Sequence, residues 1–227
     1  MKIPKIIVLN NWEEEFLNLI NKKIFFSKKK KINIMLTGGN TIKKFYTYWS
    51  KNFKNFGKKI DIFISDERNV PPFDKNNNGF MVEKYLVSKV ISKNLTFHKY
   101  NTRSYNSSKI CNDYSKKLVD NIDILILSLG VGGHVASIFN DNYKLLSKKK
   151  LIEFTYIKSI KEYRYTITPR VIDKSNSVFI LCIGQKKGNI FKTSLRSKKS
   201  IINSIKKISN DSNWILDCKA KKSFYEK

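Results

Sequence analysis

The sequence predicts an α/β fold with a mainly parallel sheet, and three observations carry that prediction. Apolar runs of strand length alternate along the chain with longer amphipathic stretches. Several of those runs end in small, glycine-containing loops, as strands do when they turn into helices. No internal repeat and no linker composition divides the chain, so residues 1–227 read as one domain.

Residues 1–9 hold an apolar run broken by Pro4 and Lys5, too short and too charged for a signal peptide. Asn10 or Asn11 is placed to cap a helix that starts at Glu13-Glu14-Glu15 and ends at Lys22-Lys23, charges that complement the helix dipole. Phe16, Leu17, Ile20 and Ile24 form its apolar face. Ile32 to Leu36 reads as a strand, followed by Thr37-Gly38-Gly39-Asn40-Thr41 and a helix through Tyr48. Asp61 to Ile64 is a second buried strand ending in Ser65-Asp66-Glu67-Arg68. Val70-Pro71-Pro72 then forces extended backbone, and Asn76 to Gly79 turns into a helix from Phe80 to Ile91.

Leu95 to Tyr100 is a weaker strand, and Ser107 to Asp120 an amphipathic helix. Ile122 to Leu129, apolar and rich in β-branched residues, reads as the central strand. It stops at Gly130-Val131-Gly132-Gly133; His134 follows, with Val135 to Phe139 as the first turn of a helix. Ile152 to Ile157 and Val178 to Ile183 are further strands, with Arg164-Tyr165-Thr166-Ile167-Thr168-Pro169 between them. Gly184 opens a helix carrying Lys186-Lys187-Gly188; Lys199 to Ile208 reads as helical, and Trp214 to Leu216 closes the apolar pattern.

Composition excludes several classes. Hydrophobic residues make up 41% of the chain, enough for a packed core despite the charge. The formal net charge of +27 invites a polyanion partner, yet only five of the 45 basic residues are arginine. Lysine recurs with Asn, Ile, Phe and Tyr, residues with A- and T-rich codons, so biased base composition accounts for the charge. Runs such as Lys28 to Lys31 and Lys148 to Lys150 read as solvated loops. No specific nucleic-acid partner and no membrane partner is expected, and no stretch is long enough to span a bilayer. Cys111, Cys182 and Cys218 are far apart without a CxxC pair, which suggests neither zinc nor disulfides and fits a reduced, cytoplasmic compartment.

The candidate site comes from what stands at the strand ends. Glycines let backbone approach a ligand, and free N–H groups at a helix start favour an anion. The Gly38, Gly39, Asn40, Thr41 loop and the Gly130, Gly132, Gly133 loop have that character, although neither the P-loop nor the dinucleotide-fold glycine spacing is present. Asp66, Glu67 and Arg68 are costly at a strand end unless solvated or used. Arg68, Arg164 and Lys187 are groups able to grip phosphate or carboxylate. His134, directly after a glycine loop, stands where it can act on whatever the loop holds.

Four blocks in this order resemble the 6-phosphogluconolactonase family: LTGGNT (36–41) is similar to its SGGST loop, SDERNVPP (65–72) with Asn78 to its DER-x-VP motif and downstream Ser-Asn, LGVGGHVASIF (129–139) to G-x-G-x-DGH-TASLF, and RYTITP (164–169) to R-x-T-x-T. Gly184 with Lys187, and WILDCKA (214–220), match weaker C-terminal patterns. The resemblance implies a Rossmann-like α/β/α fold like that of ribose-5-phosphate isomerase and glucosamine-6-phosphate deaminase. It implies hydrolysis of 6-phospho-D-glucono-1,5-lactone in the oxidative pentose phosphate pathway, with no metal and no organic cofactor, by a monomer or weak homo-oligomer. His134 matches the family's general base; the Gly38 to Thr41 loop, Asp66, Glu67, Arg68, Arg164 and Lys187 match its substrate-facing blocks.

Three departures stand out: Gly132 where the family has Asp, Ser128 for a glycine and Asn140 for a proline. The first removes a carboxylate that Asp66 or Glu67 would have to replace. It leaves a non-catalytic or weakly active sugar-phosphate binder as an alternative. An amino-sugar phosphate deaminase or isomerase is another, although the Glu of its GH-x-A-FNE pattern is absent from HVASIFND.

Overall fold

A computed structural model describes residues 4–104, 106–118, 121–147, 149–205 and 207–226. Asp120, Lys148 and Lys206, each inside a segment assigned above, lie outside them, as do residues 1–3. The strands are β1 (Lys5–Leu9), β2 (Lys31–Leu36), β3 (Lys59–Ile64), β4 (Asp66–Arg68), β5 (Leu95–Phe97), β6 (Ile124–Ser128), β7 (Ile152–Ile157), β8 (Glu162–Ile167), β9 (Ser177–Cys182) and β10 (Asn213–Asp217). The α-helices are α1 (Trp12–Phe26), α2 (Lys43–Lys51), α3 (Asn78–Tyr85), α4 (Ser107–Lys117), α5 (Pro169–Lys174), α6 (Gln185–Arg196), α7 (Ile201–Ser204) and α8 (Cys218–Tyr225).

Seven strands form one parallel sheet in the order β1-β10-β9-β6-β2-β3-β5. Its central strands are apolar on both faces because helices cover both, and Ile34, Met35, Leu36, Leu125, Ile126 and Leu127 are fully buried. Right-handed crossovers put α1, α2 and α3 on one face and α4 to α8 on the other. Phe16 of α1 packs on Phe45 and Phe179, 5.0 and 5.4 Å between ring centroids. On the opposite face Phe191 stacks on Trp214 at 3.9 Å. There α6 and α8 approach so closely that a Cβ at Gly188 would lie 2.3 Å from the Ala220 carbonyl oxygen. The direction of winding reverses between β2 and β6, so their C-terminal loops diverge to opposite faces and leave a crevice between them.

A second, antiparallel sheet, β4-β8-β7, was not visible in the sequence. Asp66 to Arg68, expected as a charged strand end, is its first strand and pairs with β8 in the register Asp66↔Thr166, Glu67↔Tyr165, Arg68↔Arg164. Its charges are met by the fold rather than by solvent. Glu67 is 1% exposed, and its carboxylate accepts the backbone N–H groups of Arg68, Asn78 and Gly79 at 2.8, 2.7 and 2.7 Å. Two of those donors belong to the first turn of α3, whose N-cap, Asn77, accepts from the Phe80 N–H at 2.8 Å.

Other boundaries moved for local reasons. The apolar run near the N-terminus is the edge strand β1, paired with β10. Asn11 occupies the cap position of α1, but Glu15 does the capping, accepting the N–H groups of Asn10 and Asn11 at 3.0 and 2.8 Å. That helix continues past Lys23 to Phe26 because buried Ile24 extends its apolar face. The helix expected from Phe80 to Ile91 ends at Tyr85 and passes into a 3-10 turn, and the one expected to Asp120 ends at Lys117. The stretch expected as one helix from Lys199 to Ile208 is the short α7 followed by a π-turn over Lys207–Asp211. Val135 to Phe139 forms no helix at all: Gly133 and Ala136 have φ of +71° and +48°, and Val135 bridges Ile138 in a tight turn.

Removing the Glu67 carboxylate would orphan three backbone donors, two of them at the buried start of α3. Glu67→Ala is therefore expected to lower stability by at least about 2 kcal/mol in urea unfolding; an unchanged midpoint would refute this role.

Candidate active site

The crevice between β2 and β6 is a cleft of about 250 Å³. Its floor and walls come from Thr37 to Thr41 after β2, from Ser128 to Val131, His134 and Ala136 after β6, from Asp66 and Arg68 on β4, from Asn78 at the start of α3, and from Lys187 on α6. The parallel sheet thus brings together Gly38, Gly39, Asn40, Thr41, Asp66, Arg68, Gly130, His134 and Lys187.

Two glycines are required by close approach. A Cβ at Gly38 would lie 1.9 Å from Asn78 Oδ1, and one at Gly130 would lie 2.2 Å from both Cε1 and Nε2 of His134. The imidazole therefore lies against the Gly130 backbone. Its other face stacks on Phe139, 3.7 Å between centroids and 16° between planes. The loop is closed on itself, with Gly130 N–H donating to the His134 carbonyl at 2.8 Å and Gly133 N–H to the Gly130 carbonyl at 3.0 Å. Those two amides are committed, so they do not form the free donor pair that a helix start would offer; Val131, between them, lies on the cleft wall.

Asp66 anchors this loop from the second sheet. It is buried, with Oδ1 accepting from Ser65 Oγ at 3.1 Å and Oδ2 from Ser137 Oγ at 2.7 Å, while the Ser137 N–H donates to Thr166 Oγ1 at 3.1 Å. Asn78 Nδ2 donates to the Asp66 carbonyl at 2.8 Å. Ser137 was visible as a small residue in an apolar run, and Asn78 as part of a turn and as the residue downstream of the SDERNVPP block, but their partners lie far away in sequence. Lys187 Nζ donates to Ser128 Oγ at 2.7 Å, so the serine standing for a glycine positions an ammonium at the cleft wall.

Other expected residues lie outside the cleft. Glu67 points to α3. Burial pushes its carboxyl up to about 7, against three amide donors that favour the anion. Arg164 is buried on β8, ion-paired to Glu162, and lines a neighbouring cleft of about 390 Å³. Arg68 lines both clefts, and its Nη1 donates to the Asn76 carbonyl at 2.6 Å. Burial first, then the adjacent Arg68, lowers the Arg164 pKa. Gly132 and Gly133 shape the loop behind the imidazole without lining the cleft.

The electrostatics of His134 follow from this setting. Burial pushes its pKa down to about 4; Asp66 opposes that shift, and Arg164, Lys187 and Arg68 reinforce it. The imidazole is neutral across the physiological range. Its Nδ1 is buried and has no hydrogen-bond partner among the described residues. Asp66 acts on it through space, with both its oxygens engaged by serines, and Glu67 is committed elsewhere. A Cβ at Gly132 would lie 3.3 Å from Nδ1, the point at which a carboxylate would meet the ring.

A glycine-lined cleft at the switch point of a parallel sheet, with a neutral imidazole, Arg68 and Lys187 among its walls, defines a Rossmann-like α/β/α protein with a cationic cleft. The chain belongs to the glucosamine-6-phosphate isomerase/6-phosphogluconolactonase family, whose model matches residues 8–213. It is 28% identical over 200 residues to the 6-phosphogluconolactonase of Borreliella burgdorferi, covering 85% of this chain and 84% of that one. The crystal structure of 6-phosphogluconolactonase from Thermotoga maritima superposes with a TM-score of 0.80 at 26% identity, covering 94% and 99% of the two chains. A monomeric glucosamine-6-phosphate deaminase shares the fold at a TM-score of 0.73 and 17% identity, covering 96% and 99%.

The contact of His134 with Gly130 gives a direct test. Gly130→Ala places a methyl group where the ring lies without straining φ, so the variant is expected to fold while losing at least about a hundredfold in turnover. Retained turnover with a normal melting curve would show that the ring need not occupy that position.

Proposed function

We propose that this chain hydrolyses 6-phospho-D-glucono-1,5-lactone to 6-phospho-D-gluconate as a single-domain enzyme. The observation that carries the reading is the neutral imidazole of His134 set beside two cationic side chains in a cleft of sugar-phosphate size. The named relatives, and the family to which the chain belongs, support the same reaction.

The chemistry needs three things. His134, with one nitrogen turned away from solvent, takes a proton from water through the other, and the hydroxide adds to the lactone carbonyl carbon. The carbonyl oxygen becomes an oxyanion, which the amide of Val131, a residue of the cleft wall, would stabilise. Collapse of the tetrahedral intermediate re-forms the carbonyl and breaks the ring C–O bond; the ring oxygen takes the proton back from the imidazolium, leaving a free hydroxyl and a carboxylic acid that releases its proton to solvent as the carboxylate product. Arg68, Lys187 and the Gly38 to Thr41 loop bind the phosphate and sugar hydroxyls. Arg164 stands opposite Arg68 on the adjoining strand and adds to the positive charge there.

One observation favours a second reading, a sugar-phosphate binder of little activity. For Nε2 to act as base the proton must sit on Nδ1, and there it has no acceptor among the described residues. The opposite tautomer leaves Nε2 without its lone pair.

The deciding experiment is lactone hydrolysis measured above the spontaneous rate for wild type, His134→Ala and Gly132→Asp. The lactonase reading expects wild-type turnover, loss of about 10²–10⁴ in His134→Ala, and a gain in Gly132→Asp. No wild-type turnover, with 6-phosphogluconate still bound and activity appearing in Gly132→Asp, would establish the second reading.

The pH profile is a further check. Because the His134 pKa is lowered, the base form persists to lower pH, so the acid limb of kcat/KM is expected near 4 rather than near 6.5. The unfolded chain takes up this proton below about 6.5 while the folded one resists until about 4, so His134 costs stability as pH falls through that window. His134→Ala should remove both effects; an acid limb that stays near 6.5 would contradict the buried neutral imidazole.

A further inference from the structure

The end of the sheet opposite the cleft carries a feature that lactone hydrolysis does not use. At the C-terminus of α1, Phe25 and Phe26 are 59% and 76% exposed; Phe56, in the loop entering β3, is 36% exposed. Their rings pack edge to face, Phe25 on Phe26 at 5.0 Å and on Phe56 at 5.5 Å. The neighbouring loop adds Ile91, fully exposed, held close by the Asn55 to Ser92 side-chain hydrogen bond. Exposed apolar groups gathered in this way mark a contact surface more often than scattered ones do.

The two segments that present the rings are 22–31 and 51–59. They contain ten lysines and no acidic residue, roughly three times the lysine share of the whole chain. Base composition accounts for a lysine-rich chain, but it does not account for this local excess around exposed rings. Nine of the ten lysines are exposed, and the tenth, Lys58, spans the two segments by donating to the Ser27 and Lys29 carbonyls.

We propose that this lysine-ringed phenylalanine knob docks on an anionic phospholipid surface. The geometry favours a bilayer over single-stranded nucleic acid. The rings engage one another edge to face instead of offering parallel faces for bases, and none of the knob residues lines the active-site cleft or the cleft beside it. An exposed apolar cluster flanked by ammonium groups matches a headgroup layer: the rings enter the interface, and each lysine near it adds about 1 kcal/mol, apart from Lys29 and Lys31, which pair with Asp123 and Asp61. Contact would be peripheral, since no helix among the described residues is long and apolar enough to cross a membrane. The knob lies at the N-terminal ends of β2 and β3 and the cleft at the C-terminal ends of β2 and β6, so docking would leave the cleft open to solution.

The test is co-sedimentation of the full chain with vesicles of phosphatidylcholine alone or with about one-third phosphatidylglycerol. Wild type is expected to bind only the anionic vesicles, and Phe25→Ser/Phe26→Ser to lower the partition coefficient about tenfold with an unchanged melting curve. Tyr225→Ser, an exposed aromatic elsewhere, should behave as wild type. Failure to sediment would overturn the proposal. So would binding indifferent to the Phe substitutions, which would reduce the effect to net charge, or tighter Phe-dependent binding to single-stranded RNA.

Discussion

The site depends on how the chain leaves β3. Between Ser65 and Arg68 it crosses from the parallel sheet into the antiparallel one and buries two adjacent carboxylates as it does so. Burying an ionised carboxylate is affordable only when its lone pairs are met. Glu67 finds three backbone amides and thereby fixes the start of α3. Asp66 finds Ser65 and Ser137, and Ser137 belongs to the loop that carries the imidazole. Two neighbouring residues, pointing to opposite sides of a short strand, thus tie the cleft wall made by α3 to the His134 loop.

This coupling explains what was legible in the sequence and what was not. The parallel strands were legible because burial on both faces writes a continuous apolar run, as in Ile124 to Leu127. The residues around the cleft were legible because glycines and charges stand at strand ends, where open parallel sheets bind ligands. The strand β4 was not, because Asp-Glu-Arg has no apolar alternation and pairs with a segment nearly a hundred residues away. Nor was the turn after His134: Ala136 at φ +48° carries no local signal, and an apolar pentapeptide after glycines reads equally well as a helix start. Glu67 and Arg164 were grouped with the site by their charge. Side-chain direction, which periodicity does not give for so short a strand, turns one toward α3 and the other toward the adjoining cleft.

The glycines of the site do not all answer to the same constraint. Gly38 and Gly130 are imposed by atoms already in place, the Asn78 amide group and the His134 ring. Gly133 and Gly39 are imposed by positive φ. Gly132 is imposed by neither: its φ lies outside the left-handed region, and a Cβ there would touch the ring nitrogen at 3.3 Å, a contact a side chain accommodates with a small adjustment. Its consequence is chemical. Without a side chain at 132, the ring is oriented by stacking on Phe139 and by the Gly130 backbone, which fix its plane but not which nitrogen holds the proton.

That distinction bears on how a base works in a cationic cleft. Arg68, Arg164 and Lys187 lower the basicity of His134 in the free protein, while Asp66 raises it. A sugar phosphate bound as proposed, by Arg68 and Lys187, would bring negative charge to the cations responsible for part of that depression, so binding itself would raise the basicity of the imidazole. By the same linkage, protonating the imidazole would strengthen phosphate binding. Under the proposed function, such a site would rely on its ligand for part of the electrostatics that a carboxylate beside Nδ1 would supply permanently, and its turnover would depend on how well the phosphate is held as much as on the imidazole.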